Sequence, residues 1–195
     1  MTEVLAVNNY PTTERFDRLV RALQEGGAKV KAISWVQSSA DEFNSSDGVA
    51  LSGAPSMISK DTTLARFSPE VDAVKGSKVP VLGICFGHQL IARAFGSRVV
   101  KDREHVLRFV RTEVKSGDDL WAGFPGPLML LESRHEIVES LPTDFELLAT
   151  SETSPIAAMR HRTRRIFGIQ SHPERYTVDN PDGREVVRNF VQSLG

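Results

Sequence analysis

The segment Gly83-Ile84-Cys85-Phe86-Gly87-His88-Gln89 carries the chemistry. It has the form Gly-x-Cys-x-Gly, the thiol counterpart of the Gly-x-Ser-x-Gly elbow. Such a turn is tight enough that side chains on both flanks would collide, so glycine is expected on each side. A cysteine there stands at a helix start, where free N–H groups and the helix dipole favour a thiolate. A thiol nucleophile also needs a base and a group to orient that base. Gln170-Ser171-His172-Pro173-Glu174 supplies both. Proline favours extended backbone at His172. If that conformation continues, His172 and Glu174 face one side, and the imidazole can accept a proton from Cys85 while Glu174 holds its other nitrogen.

Acyl chemistry further needs hydrogen-bond donors where negative charge develops. The Phe86 N–H, just after the nucleophile, is one. The second is expected from Leu51-Ser52-Gly53-Ala54-Pro55-Ser56, where Gly and Pro fit a sharp turn that exposes an amide. The remaining histidines invite plainer readings. His105 and His161 lie in charged stretches and are expected in solvent. His88 is expected to support helix packing, and His135 either lines a site or is structural. No histidine pair has metal-ligand spacing, and a single thiolate makes a poor zinc site, so no metal is expected.

These segments need a scaffold that brings them together. Val4–Asn8, Lys29–Val36, Val49–Ser52 and Val79–Ile84 are short apolar runs that read as buried strands. Between them lie helical patterns. Phe16, Leu19, Val20 and Leu23 form one face of a helix capped by Thr12 or Thr13 and stopped by Gly26-Gly27. Ser68-Pro69-Glu70 opens another, with Ser68 as cap and Glu70 complementing the positive helix end. A third runs from Phe86 to Phe95. Alternation of this kind predicts a parallel sheet covered on both faces. Val106–Val114, Leu128–Leu131, Phe145–Thr150, Ile156–Arg160 and Ile166–Gln170 read as strands with little helix between them, so mixed or antiparallel strands are expected there. A last helix, with Asp182 as cap, buries Val186, Val187, Phe190, Val191 and Leu194. In an open α/β sheet, ligands bind beyond the carboxyl ends of the strands, where all three loaded segments fall.

The 195 residues carry 24 Lys+Arg and 25 Asp+Glu, which excludes a strongly basic nucleic-acid binder. One domain over residues 1–195 is expected. A single cysteine excludes an intrachain disulfide. No apolar run approaches the ~18 residues of a membrane span. The opening Met1-Thr2-Glu3-Val4 lacks a signal-peptide pattern, so a cytosolic protein is expected.

Taken together, Gly83 to Ala92, Ser52-Gly53-Ala54-Pro55 and Ser171-His172-Pro173-Glu174 resemble a class I (triad) glutamine amidotransferase, in motif order and spacing, over essentially the whole chain. The resemblance implies an open mixed, mainly parallel sheet flanked by helices, of flavodoxin-like kind. It implies hydrolysis of the glutamine side-chain amide through a thioester on Cys85, with His172 as base and Glu174 as third member. It places the oxyanion donors on the Ala54 and Phe86 amides, with Gly53 and Gln89 beside the substrate. Ser133, Arg134 and His135 would hold the amino-acid end of L-glutamine, largely through backbone.

Within the family, Val-Asn-Asn-Tyr, Gly-His-Gln-Leu-Ile-Ala and Ala157-Ala158-Met159-Arg160-His161 are similar to the separate glutaminase subunit of archaeal-type GMP synthases. That implies a separate synthetase partner of the ATP pyrophosphatase type, which would carry ATP and Mg2+, with no cofactor on this chain. The alternatives are the glutaminase of anthranilate or aminodeoxychorismate synthase and a stand-alone γ-glutamyl hydrolase. A regulatory protein with a relic site is the non-enzymatic alternative. Two points depart from the family pattern. Ala54 stands where the family has a second glycine; if the donor amide needs φ > 0, alanine would leave that peptide turned away. Ser133-Arg134-His135-Glu136 replaces Ser-His-x-Asp-Glu. Arg160, Arg162, Arg164 and Arg165 form a basic cluster that could meet an acidic partner or lie at a solvated hairpin tip.

Overall fold

A computed structural model describes residues 1–195. In chain order the elements are β1 (Glu3–Asn8), α1 (Phe16–Glu25), β2 (Lys29–Ser34), α2 (Ala40–Asn44), β3 (Gly48–Leu51), α3 (Asp61–Arg66), α4 (Ser68–Gly76), β4 (Val81–Ile84) and α5 (Phe86–Ala94). There follow β5 (Val99–Val114), β6 (Leu128–Val138), β7 (Phe145–Ser151), β8 (Ala158–His161), β9 (Ile166–Ile169) and α6 (Asp182–Gln192). One sheet runs in the order β2-β1-β3-β4-β9-β8-β7-β5-β6. From β2 to β9 neighbours are parallel, and from β9 to β6 they are antiparallel.

The parallel half is buried on both faces, and the period-two rule shows how. In β1, Val4 and Ala6 join the core under α1 and α6, whereas Leu5 and Val7 join the core under α4 and α5. α1 turns Phe16, Leu19, Ala22 and Leu23 inward, as its spacing predicts. Gly27 at φ 103° ends it, and Gly96 at φ 85° ends the turn after α5.

Other local expectations need correction. No side chain caps α1, whose cap position is Arg15 rather than Thr12 or Thr13. Neither Ser68 nor Asp182 caps its helix. Asp182 Oδ2 instead accepts from Met129 N at 2.8 Å, tying α6 to β6. The short helices α2 and α3 leave no trace in the sequence pattern, since five and six residues are too few to show a period. The sequence also underestimates β5 and β6, which extend to 16 and 11 residues. Finally, β9 lies between β4 and β8, an insertion that strand patterns cannot reveal.

Candidate active site

Cys85 sits between β4 and α5 with φ 51° and ψ −98°, the one non-glycine residue at positive φ. Backbone in that region costs about 1–3 kcal/mol and persists only where its surroundings enforce it. The flanking glycines show the enforcement. A Cβ on Gly83 would lie 2.6 Å from the Gly87 carbonyl group, and one on Gly87 would lie 2.9 Å from Leu51. Cys85 N donates to Ile169 O at 2.8 Å, so β9 holds the turn from the other side. The Phe86 N–H opens α5 with no intrahelical acceptor.

His172 and Glu174 meet as the sequence suggests, but by another route. His172 (φ −104°, ψ 80°) ends the extended run, and residues 173–175 form a single 3-10 turn. That turn, not a continued strand, brings Glu174 Oε1 to 2.7 Å from His172 Nδ1. Burial alone would lower the His172 pKa. The Glu174 carboxylate and then the Cys85 sulfur, to which the ring also hydrogen-bonds, outweigh burial and raise it to about 10. The cluster therefore favours the imidazolium form of His172.

The far edge of the sheet completes the site. β6 curls back over the ends of β4 and β9, so Leu131 O accepts from His172 N at 2.7 Å and Ser133 O lies 3.7 Å from Cys85 Sγ. Gln89 Nε2 donates to Glu136 O (2.8 Å) and Gln170 Oε1 (3.1 Å), which leaves its own Oε1 without a protein donor. The Glu136 carboxylate accepts from Ile58 N at 2.8 Å and so ties the loop after β3 to β6. Between these walls lies a cavity of about 340 Å3, lined by Cys85, Gln89, Ala54 and Ser133 and rimmed by Arg15 and Arg175. Its volume suits an amino acid, and its cationic rim suits a carboxylate.

Ser133, Arg134 and His135 all border the cavity. Arg134 lines the cavity, but its guanidinium is fully buried, bonded to Glu132 Oε2 at 2.8 Å and to Asp102 and the Thr153 carbonyl. It holds β6 together and leaves only backbone for a ligand. His135 stacks on His105, with ring centroids 4.0 Å apart, at the cavity mouth. Ala54 is not at positive φ, nor is Gly53, so alanine carries no left-handed strain there. Gly53 is needed for space, because a Cβ would lie 2.5 Å from the Tyr10 hydroxyl and 2.8 Å from His172 Cε1.

His161 is buried against Phe95 and Phe145 rather than solvated. His88 is fully buried as packing, in a notch that any Cβ on Gly168 would fill, and burial lowers its pKa to about 3. The arginine cluster lies at the wrong end. Ile166 pairs with Val81 and Ile169 with Ile84, so the turn before β9 is opposite Cys85. Arg160 bonds Glu146 and Asp118, while Arg164 and Arg165 cap helix ends.

Sequence reasoning misses Tyr10, whose only signal is its place at the end of β1, the strand next to β3. Burial, then Glu174 and Cys85, push its hydroxyl pKa above the ordinary range. Glu70 stands in the first turn of α4 as expected, but sequence reasoning misses that it is fully buried against Asn9.

A nucleophile elbow in this sheet, facing a His–Glu pair from the neighbouring strand, defines a class. The chain belongs to the class-I glutamine amidotransferase family, whose model matches residues 7–194. More particularly, it is 37% identical over 148 residues to the A subunit of the glutamine-hydrolyzing GMP synthase of Thermococcus kodakarensis, covering 76% of each chain. It is 34% identical over 194 residues to the corresponding protein of Methanothermobacter thermautotrophicus, covering 97% of each. A crystal structure from Thermoplasma acidophilum, of a protein provisionally assigned as the A subunit of a GMP synthase, superimposes with a TM-score of 0.87 at 30% identity, covering all of this chain and 94% of that one. No helix is long and apolar enough to cross a membrane.

Proposed function

We propose that this chain is the glutaminase subunit of a two-subunit GMP synthase of archaeal type. It hydrolyses L-glutamine and hands ammonia to a separate ATP-dependent synthetase that aminates XMP. The observation that carries the chemistry is the Cys85–His172–Glu174 cluster at the carboxyl ends of β4 and β9. Likeness to the archaeal proteins supports the pathway.

The Cys85 thiolate attacks the side-chain amide carbon of glutamine. The oxyanion that forms takes hydrogen bonds from the Phe86 and Ala54 amides. His172, protonated and held by Glu174, gives its proton to the departing nitrogen, and ammonia leaves a glutamyl thioester. His172, now neutral, takes a proton from water as the water attacks the thioester; glutamate leaves and the thiolate returns. Gln89 Oε1 and the backbone of Ser133 and His135 hold the substrate. This chain needs no cofactor of its own, since ATP and Mg2+ belong to the synthetase reaction. A reducing, cytosolic compartment keeps the lone thiol active.

The test pairs the purified chain with its synthetase. Glutamine-dependent formation of GMP from XMP is expected, with Cys85→Ala and Cys85→Ser abolishing it while ammonia still supports synthesis. Substantial turnover by Cys85→Ser overturns the nucleophile. A complex that uses ammonia but never glutamine overturns the coupling.

A further inference from the structure

The carboxyl ends of β1 and β3 hold a chain of buried polar groups that the hydrolysis scheme does not use. Asn9, Ser52 and Glu70 are at most 3% exposed. Asn9 spends both amide protons, one on Ser52 O at 3.1 Å and one on Glu70 Oε1 at 3.0 Å. Its backbone N–H donates to Ser52 Oγ at 2.9 Å, and that hydroxyl donates to Gly53 O at 2.9 Å. A serine hydroxyl has one proton. With Asn9 N–H donating to this oxygen, that proton is directed to the Gly53 carbonyl.

The Gly53 carbonyl is half of a peptide whose other half is the Ala54 N–H. A trans peptide is planar, so its C=O and N–H point in opposite directions. Whatever fixes one fixes the other. The Ala54 N–H has no protein acceptor, and Ala54 lines the cavity beside Cys85. The arrangement is a poor choice for stability alone. Glu70 Oε2 has no partner, and an apolar side chain would fill the space without that cost. Burial raises the Glu70 pKa to about 8, so it stands there as a neutral acceptor for Asn9.

We propose that Glu70, Asn9 and Ser52 are positioning residues, a hydrogen-bonded latch from α4 through β1 to β3 that fixes the 53–54 peptide with the Ala54 N–H toward the thioester oxygen. The latch deepens the glutaminase reading and rests on it. It also accounts for alanine at position 54, because the amide is aimed by a hydroxyl on its own carbonyl rather than by left-handed backbone.

Ser52→Ala removes only the hydroxyl. Its kcat for glutamine hydrolysis is expected to fall about 10- to 100-fold, short of the ~10²–10³ lost when a whole oxyanion donor is deleted. KM should stay within about twofold. Alkylation of Cys85 by iodoacetamide, which develops no oxyanion, should keep the wild-type rate. Glu70→Leu should lose activity similarly, and Glu70→Gln, which keeps an oxygen for Asn9, should recover most of it. An unchanged kcat in Ser52→Ala overturns the latch, as does an equal loss of kcat and alkylation rate. A crystal structure of Ser52→Ala reads the latch without turnover: the Gly53 carbonyl should turn, and an unmoved carbonyl overturns the proposal whatever the assay gives. A wild-type chain that hydrolyses no glutamine, with or without its synthetase, would instead sink the glutaminase reading and leave the crystallographic result to decide the latch.

Discussion

The two ends of the parallel strands use similar polar residues for opposite purposes. At the carboxyl ends, Asn9 Oδ1, Glu70 Oε2, Gln170 Nε2 and Glu174 Oε2 are buried without partners, and Cys85 holds strained backbone. At the amino ends, the Ser46 hydroxyl excepted, polar capacity is spent on the protein itself. Arg164 donates to the carbonyls of Val74 (3.2 Å), Lys75 (3.0 Å) and Ser77 (2.6 Å), which close α4. Arg165 donates to Ser193 O at 2.8 Å, at the end of α6, and Asn44 Oδ1 accepts from Lys78 N at 2.7 Å. One end keeps unsatisfied groups and strain, the usual mark of a site that trades stability for function. The other neutralises helix ends. Hence a partner that receives ammonia should dock at the first end, without the arginines of the second.

Substitutions can break or sharpen that contrast. The largest effect is expected from His172→Ala. Glutamine hydrolysis should fall by at least ~10⁴-fold, because triad members act as a unit, and the urea midpoint should fall too, because Glu174 loses the partner of a buried ion pair. A wild-type rate would point to another base, such as His135 at the cavity mouth. Glu174→Gln should be milder, about 10- to 100-fold in kcat, since geometry replaces part of the orienting role.

Glu70 gives a pH signature. In the folded chain it keeps its proton up to about pH 8, whereas the unfolded chain releases it in the ordinary carboxylate range. Between those values the unfolded state binds fewer protons, so stability falls as pH rises, by at most about 1.4 kcal/mol per pH unit. Urea titrations from pH 5 to 8 should show this loss, and Glu70→Gln should flatten it. An unchanged slope in the variant would show that Glu70 ionises normally.

The smallest effect belongs to the amino end. Arg164→Ala should cost about 1–2 kcal/mol, read from urea unfolding, with glutaminase kcat intact. A loss of kcat at constant stability would erase the contrast between the ends.

What the sequence reveals follows the range of the physics involved. The elbow is legible because its constraint is local: Gly83 and Gly87 answer to atoms within a few residues of Cys85, Leu51 excepted. His172 and Glu174 are legible as a pair, but not the 3-10 turn that joins them, because extended and turned backbone both suit a histidine before proline. The Arg160–Arg165 group misleads, since a guanidinium reads the same whether it meets a partner, a carboxylate or a helix end. Glu70 is legible as a residue of a first helical turn, and only the packing of β1 and β3 against α4 shows it as a buried acid. The likeness to a known family carries the substrate and the synthetase, which no spacing contains.

The position of β9 bears on how the molecule is made. It is the sole bridge between β4 and β8, so without it the sheet is two fragments, each with an open apolar edge. Because β9 arrives late in the chain, most of the polypeptide must be synthesised before those fragments can join. Contacts this distant in sequence form slowly and leave edges open to aggregation meanwhile. The same event delivers His172 to Cys85. Nascent or half-folded molecules would thus hold Cys85 without its base, and hydrolysis would begin only when folding is complete.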